Sequence, residues 1–156
     1  MCNKEFMAAA VKLSRDHMEA NDGGPFGAVV VKDGKVVAEG YNKVTSTNDP
    51  TAHAEVVAIR NACSSMSTFN LKGCELYTSC EPCPMCLSAA YWSGVDVIYF
   101  SNTRKDAAAI GFSDDFLYEQ VALPLDQRSL PIKHMKLDEA NKVFQDWMVK
   151  EDKVLY

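Results

Sequence analysis

At 156 residues, 47% of them hydrophobic, the chain has enough apolar material for one domain with a core that needs no disulfide support. A charged fraction of 24% and an aromatic fraction of 10% are ordinary and argue against a disordered chain, collagen-like repeats and a coiled coil. The formal net charge is −5, and the lysines and arginines are scattered among acids, as at Lys32, Asp33, Lys35 and Glu39, so a nucleic acid is not the favoured partner.

The first residues lack a basic segment followed by an apolar run, and no stretch approaches a membrane span, which points to the cytoplasm and to no membrane partner. The six cysteines are then expected to stay reduced, and closely spaced ones read first as metal ligands. Phe6, Met7, Ala10, Val11, Leu13 and Met18 recur at helical spacing, predicting a helix over 4–20 that ends before Asn21-Asp22-Gly23-Gly24-Pro25. Residues 26–31 and 35–40 read as strands joined by a tight Asp33-Gly34 turn, since glycine tolerates positive φ.

A polar loop is expected over 42–50, then a helix over 51–62 burying Val56, Val57 and Ile59. A short strand at 75–78, a helix at 84–92 closed by Gly94, and a strongly apolar strand at 95–100 follow. Residues 106–118 read as a helical or irregular crossover, 131–137 as a further strand, and 138–148 as an amphipathic helix carrying Ala140, Val143, Phe144 and Trp147. This alternation favours a central sheet with helices on both faces, in a single domain over 1–156.

Chemistry concentrates in two motifs. Thr51-Ala52-His53-Ala54-Glu55 supplies an imidazole, and Ser79-Cys80-Glu81-Pro82-Cys83-Pro84-Met85-Cys86 supplies two thiolates, a donor set matched to zinc. Three protein ligands leave a fourth tetrahedral position for water, which separates a catalytic zinc from a structural one. Residues two apart in mid-helix point about 200° away from each other, so His53 and Glu55 must lie at a helix start to face one atom. Cys83 and Cys86 likewise fall at the start of the next helix, where the positive helix end favours thiolate. Cys80 extends the spacing to Cys-x-x-Cys-x-x-Cys, but Leu87, Ser88, Ala89 and Ala90 follow without a fourth cysteine, which disfavours an iron–sulfur centre. Cys80 reads instead as a core thiol.

His-x-Glu with Pro-Cys-x-x-Cys resembles the zinc-dependent cytidine and nucleobase deaminase superfamily, whose signature it matches at His53, Glu55, Pro82, Cys83 and Cys86. Gly23-Gly24-Pro25-Phe26-Gly27-Ala28, Asn42, Gly111-Phe112-Ser113-Asp114-Asp115-Phe116 and the terminal Tyr156 resemble its bacterial guanine deaminase branch. The resemblance implies a three-layer α/β/α cytidine-deaminase-like fold with a mixed five-stranded sheet. It also implies a homodimer whose C-terminal segment, about 138–156, exchanges between subunits. One Zn2+ per subunit, with a catalytic water, would be held by His53, Cys83 and Cys86. Catalytic roles fall on Glu55 and Asp114. Substrate contacts fall on Phe26 by stacking, on Asn42 and Asp114 by hydrogen bonding, and on Tyr156 from the other subunit; Asp115 rivals Asp114.

The reaction so implied is hydrolysis of guanine to xanthine and ammonia, in purine catabolism, with Glu55 relaying protons from water to the ring and to the leaving group. Guanosine, ammeline and cytosine are alternative rings. A tRNA adenosine deaminase carries similar motifs but must grip RNA phosphates, against which the acidic balance weighs. A zinc-organised interaction domain is the non-enzymatic alternative, and the three-ligand set weighs against it.

Overall fold

The computed structural model describes residues 3–155. Helix α1 (Lys4–Glu19) opens with Asn3 as N-cap, its side chain accepting the Glu5 N–H. Strands β1 (Gly27–Lys32) and β2 (Lys35–Tyr41) form an antiparallel hairpin through Asp33 and Gly34, whose φ values of 49° and 72° suit a type I′ turn. The register slips between Val30 and Val31, a bulge in the pairing with β2. Strand β3 (Cys74–Cys80) pairs antiparallel with β1 and parallel with β4 (Val97–Asn102), giving a mixed sheet of order β2-β1-β3-β4.

The strands alternate between two cores, as a period of two requires. Val29, Val31 and Tyr77 face α1 and pack with Phe6, Met7 and Leu13. Ala28, Val30 and Leu76 face the other way, toward Ala54, Ala58, Ile59 and Ala62 of α3 (Ala54–Ser65) and Ala90 of α4 (Pro84–Ser93). The result is the expected three-layer α/β/α arrangement. Helix α3 approaches β2 closely because Gly40 has no side chain: a Cβ there would lie 2.3 Å from the Ala54 carbonyl oxygen and 2.4 Å from the Ala58 nitrogen. That approach fixes where α3 begins, and with it the metal motif.

Three stretches depart from the sequence-based expectation. Within the polar loop, Val44–Thr47 forms a single helical turn (α2), closed by Asn48 in the left-handed region, whose N–H returns to the Val44 carbonyl. The 106–118 crossover resolves into α5 (Arg104–Ala109), held by a Thr103–Asp106 capping box, and α6 (Asp115–Ala122). The sheet has four strands among the described residues, not five: 131–137 forms no strand. Pro131 brings no N–H, the apolar residues Ile132, Met135 and Leu137 do not alternate, and residues 116–155 contain no other strand to pair with it.

The chain divides into two units, Met1–Asp115 and Phe116–Tyr156. In the second, Arg128 closes the end of α6 by donating from Nε to the Leu123 carbonyl and from Nη2 to the Val121 carbonyl. A 3-10 turn (Leu125–Gln127) precedes an extended run and α7 (Asp138–Val149). No described residue of 116–155 is fully buried, and Val143, Phe144, Trp147 and Met148 of α7 are all exposed.

Candidate active site

His53 and Cys83 are the N-caps of α3 and α4, both in extended conformation, with ψ of 153° and 167°. Asp49 shapes the approach to the first: its carboxylate accepts the Thr51 N–H at 2.8 Å and hydroxyl at 2.7 Å. Pro84 begins the second, where its missing N–H costs nothing. The helix starts meet, so that His53 Nδ1 lies 3.6 Å from Cys83 Sγ and 3.5 Å from Cys86 Sγ. Zinc with bonds of the usual length, about 2.3 Å to sulfur and about 2.0 Å to nitrogen, requires tetrahedral sulfur–nitrogen separations of about 3.5 Å. The trio therefore fits a zinc ion in spacing as well as in donor type, its three ligand atoms lying within 4.8 Å of one another.

Electrostatics at the trio favour anionic sulfur. The Cys83 thiol is held down to about 4, first by its hydrogen bond with Cys86 and then by the His53 imidazole, while Cys86 is pushed up by the same pairing and by burial. His53 is raised by its hydrogen bond with Cys83. Between the side chains alone one sulfur carries the charge; a divalent cation lets both coordinate as thiolates. Glu55, in the first turn of α3, is buried at 6% exposure and accepts a hydrogen bond from Cys86 Sγ at 3.4 Å. Burial pushes its carboxyl up, as suits a group that must take up and release a proton.

Around this centre the structure sorts the other predicted residues. Asn42 is buried at the end of β2; its N–H donates to the Phe26 carbonyl, and the next residue, Lys43, donates to the Ala52 carbonyl just before His53. Phe26 is half-buried and meets Phe112 edge to face, with ring centroids 5.0 Å apart. Asp114 is half-buried; burial raises its carboxyl, and the charges on Cys83 and Asp115 add to the effect. Its rival Asp115 is exposed and faces Arg104 at 3.9 Å. Burial pushes Cys80 up to about 11, and its sulfur approaches the Thr103 carbonyl at 3.7 Å, outside the trio. Tyr156 lies outside the described residues.

Two supporting residues had no individual signal in the sequence. Ser79 Oγ accepts the Gly27 N–H at 3.0 Å, tying the start of β1 to the end of β3. Glu81 accepts the Arg104 N–H at 2.9 Å, and its own N–H donates to the Asn102 carbonyl, so the strand-end before Cys83 is fastened to the head of α5. Glu81 sits inside the Cys-Glu-Pro-Cys motif, and that proximity was the one available hint.

A three-layer fold with His, Cys and Cys at two converging helix starts, and a buried carboxylate beside them, defines a zinc-dependent deaminase. Residues 1–102 match the cytidine and deoxycytidylate deaminase zinc-binding region, and the chain belongs to that family of hydrolytic enzymes. It is 48% identical over 147 residues to the guanine deaminase of Bacillus subtilis, a match covering 94% of each. The X-ray structure of guanine deaminase from Bacillus subtilis superposes on it with a TM-score of 0.97 at 46% identity, covering 100% of this chain and 99% of that one. A tRNA-specific adenosine deaminase of Aquifex aeolicus is 31% identical over 150 residues, 96% of each.

Proposed function

We propose that the chain hydrolyses guanine to xanthine and ammonia, with His53, Cys83 and Cys86 holding one zinc ion and Glu55 moving protons. The observation that carries the chemistry is a buried carboxylate in contact with one sulfur of a zinc-spaced trio. The end-to-end similarity to a guanine deaminase supports the choice of ring.

When bound, zinc supplies the Lewis acidity that makes a water molecule nucleophilic near neutral pH. Glu55 would accept a proton from the attacking water as the water oxygen bonds to C2 of guanine, and would pass it to the adjoining ring nitrogen. The carboxylate would then take the remaining proton from the added hydroxyl and give it to the amino group, so that C2=O forms as the C2–N bond breaks and ammonia leaves. Phe26 stacks on the purine, and Asn42 and Asp114 bind its polar edge. Tyr156 closes the pocket of the other subunit. This reading places the protein in the cytoplasm as a homodimer that exchanges C-terminal segments, a cover suited to the exposed apolar residues of α7.

Ammonia release from guanine, guanosine, cytosine, adenine and ammeline tests the reading. Guanine is expected to be consumed fastest, with xanthine as product. Turnover confined to another ring, or to adenosine in a tRNA, contradicts it.

A further inference from the structure

Asn42, buried at 6% exposure just after β2, is fixed at both its backbone and one edge of its side-chain amide. Its Oδ1 accepts two backbone N–H groups, from Gly24 at 3.3 Å and from Val44 at 3.2 Å. Its main-chain N–H donates to the Phe26 carbonyl at 3.1 Å. No acceptor among the described residues meets Nδ2, and no buried side-chain nitrogen there is left without a partner, so the NH2 edge is the part of this buried amide open to a ligand. The reverse orientation would set an NH2 group against two N–H donors, which fixes the assignment of oxygen and nitrogen.

The arrangement depends on Gly23. A Cβ at that position would lie 2.1 Å from the Asn42 carbonyl oxygen, 2.6 Å from Oδ1 and 2.7 Å from the carbonyl carbon. Two of those atoms are backbone, so any side chain at 23 must push the loop and Asn42 apart. Gly24 continues the same surface, its own Cβ position lying 3.3 Å from both the Phe26 and Phe112 rings.

We infer that Gly23 is a positioning residue for substrate recognition. By letting the Gly23-Gly24 backbone close on Asn42, it locks the amide with Oδ1 inward and offers the substrate a hydrogen-bond donor alone. The ring bound there must present an acceptor, a ring nitrogen or exocyclic oxygen, at the point facing Asn42. This selection rests on the guanine reading, whose ring carries such acceptors; the amide geometry does not.

The test compares Gly23→Ala and Asn42→Asp with the wild type and with Gly34→Ala, a control where φ is +72° and no atom lies within 4 Å of the new Cβ. Zinc content, thermal midpoint, KM and kcat for guanine are measured, together with the Asn42 side-chain amide signals by 15N NMR. Gly23→Ala is expected to keep its zinc and shift the amide signals, with KM raised about tenfold or more and kcat within about threefold, as for one lost substrate hydrogen bond. Asn42→Asp keeps an oxygen for both N–H donors but turns an acceptor to the substrate, so it too should raise KM about tenfold or more. A purely structural role predicts a near-normal KM for that variant. Gly34→Ala should lower the thermal midpoint and leave KM unchanged.

Wild-type KM in a folded Gly23→Ala protein overturns the inference. If that variant does not fold, Asn42→Asp decides, and an unaltered KM overturns it. A wild-type protein that leaves guanine untouched defeats the functional reading instead; the amide signals then decide the locking, which their persistence unchanged in Gly23→Ala would refute.

Discussion

His53 and Cys83 each stand one residue outside a helix, and that single-residue offset lets side chains two and three apart converge on one point. The His-x-Glu spacing was legible as a helix-start motif because no mid-helix placement aims both side chains at one atom. Cys86→Ala should lower zinc affinity at least about 100-fold, read by competition with a chelator, since a lost ligand costs more than a lost supporting contact. Asp114 was legible only by resemblance, and the structure separates it from Asp115 by burial, Asp115 being exposed beside Arg104. Because its carboxyl is raised, the ionised form that the proposed substrate contact requires is lost as pH falls through a point above the ordinary value of 3.8. The acid limb of kcat/KM should therefore lie above that value and be altered in Asp114→Asn. For stability the sign is opposite: the group's contribution is complete below 3.8 and is lost as pH rises through the raised value. Thermal midpoints of wild type and Asp114→Asn across that range check it.

Among elements, the best-read were those whose apolar period was backed by a turn or cap: α1 with the loop beyond it, the β1–β2 hairpin with Asp33-Gly34, and α4 between Pro84 and Gly94. Those missed lacked such support. The turn at Val44–Thr47 is polar throughout except for Val44, and it exists because Asn48 takes a left-handed conformation that returns an N–H to its start. The 131–137 run, with Ile132 its one β-branched residue, has no partner strand within its unit, and pairing is non-local information that no window of sequence contains. Close approach was equally hidden: nothing local distinguishes Gly40 as the contact point of α3. Gly40→Ala should destabilise the fold by about 1–3 kcal/mol through overpacking and lower zinc affinity with it, as α3 carries His53. Leu76→Ala, which empties a fully buried site on the same face, should cost about 2–5 kcal/mol by denaturant titration while sparing the zinc ligands.

For the whole molecule, charge bears on the choice between the proposed enzyme and an RNA-acting one. With a net charge of −5 and no basic run, the protein should show no salt-sensitive tRNA binding in a filter or mobility-shift assay; affinity that falls steeply with added salt would favour the RNA reading. The proposed homodimer, which would cover apolar residues exposed on α7, predicts a sedimentation mass twice that of the 17.2 kDa chain. The layered architecture was legible from strand and helix alternation, whereas the division after Asp115 leaves no compositional mark and emerges only from the packing. The most direct test of the account is zinc content and guanine turnover measured on the same preparations of wild type and Glu55→Gln. Equal zinc is expected in both, with kcat in the variant reduced by about 10²–10⁴ as for removal of a proton-transferring group. Equal zinc with near-normal turnover would show that the buried carboxylate beside Cys86 does not move the protons.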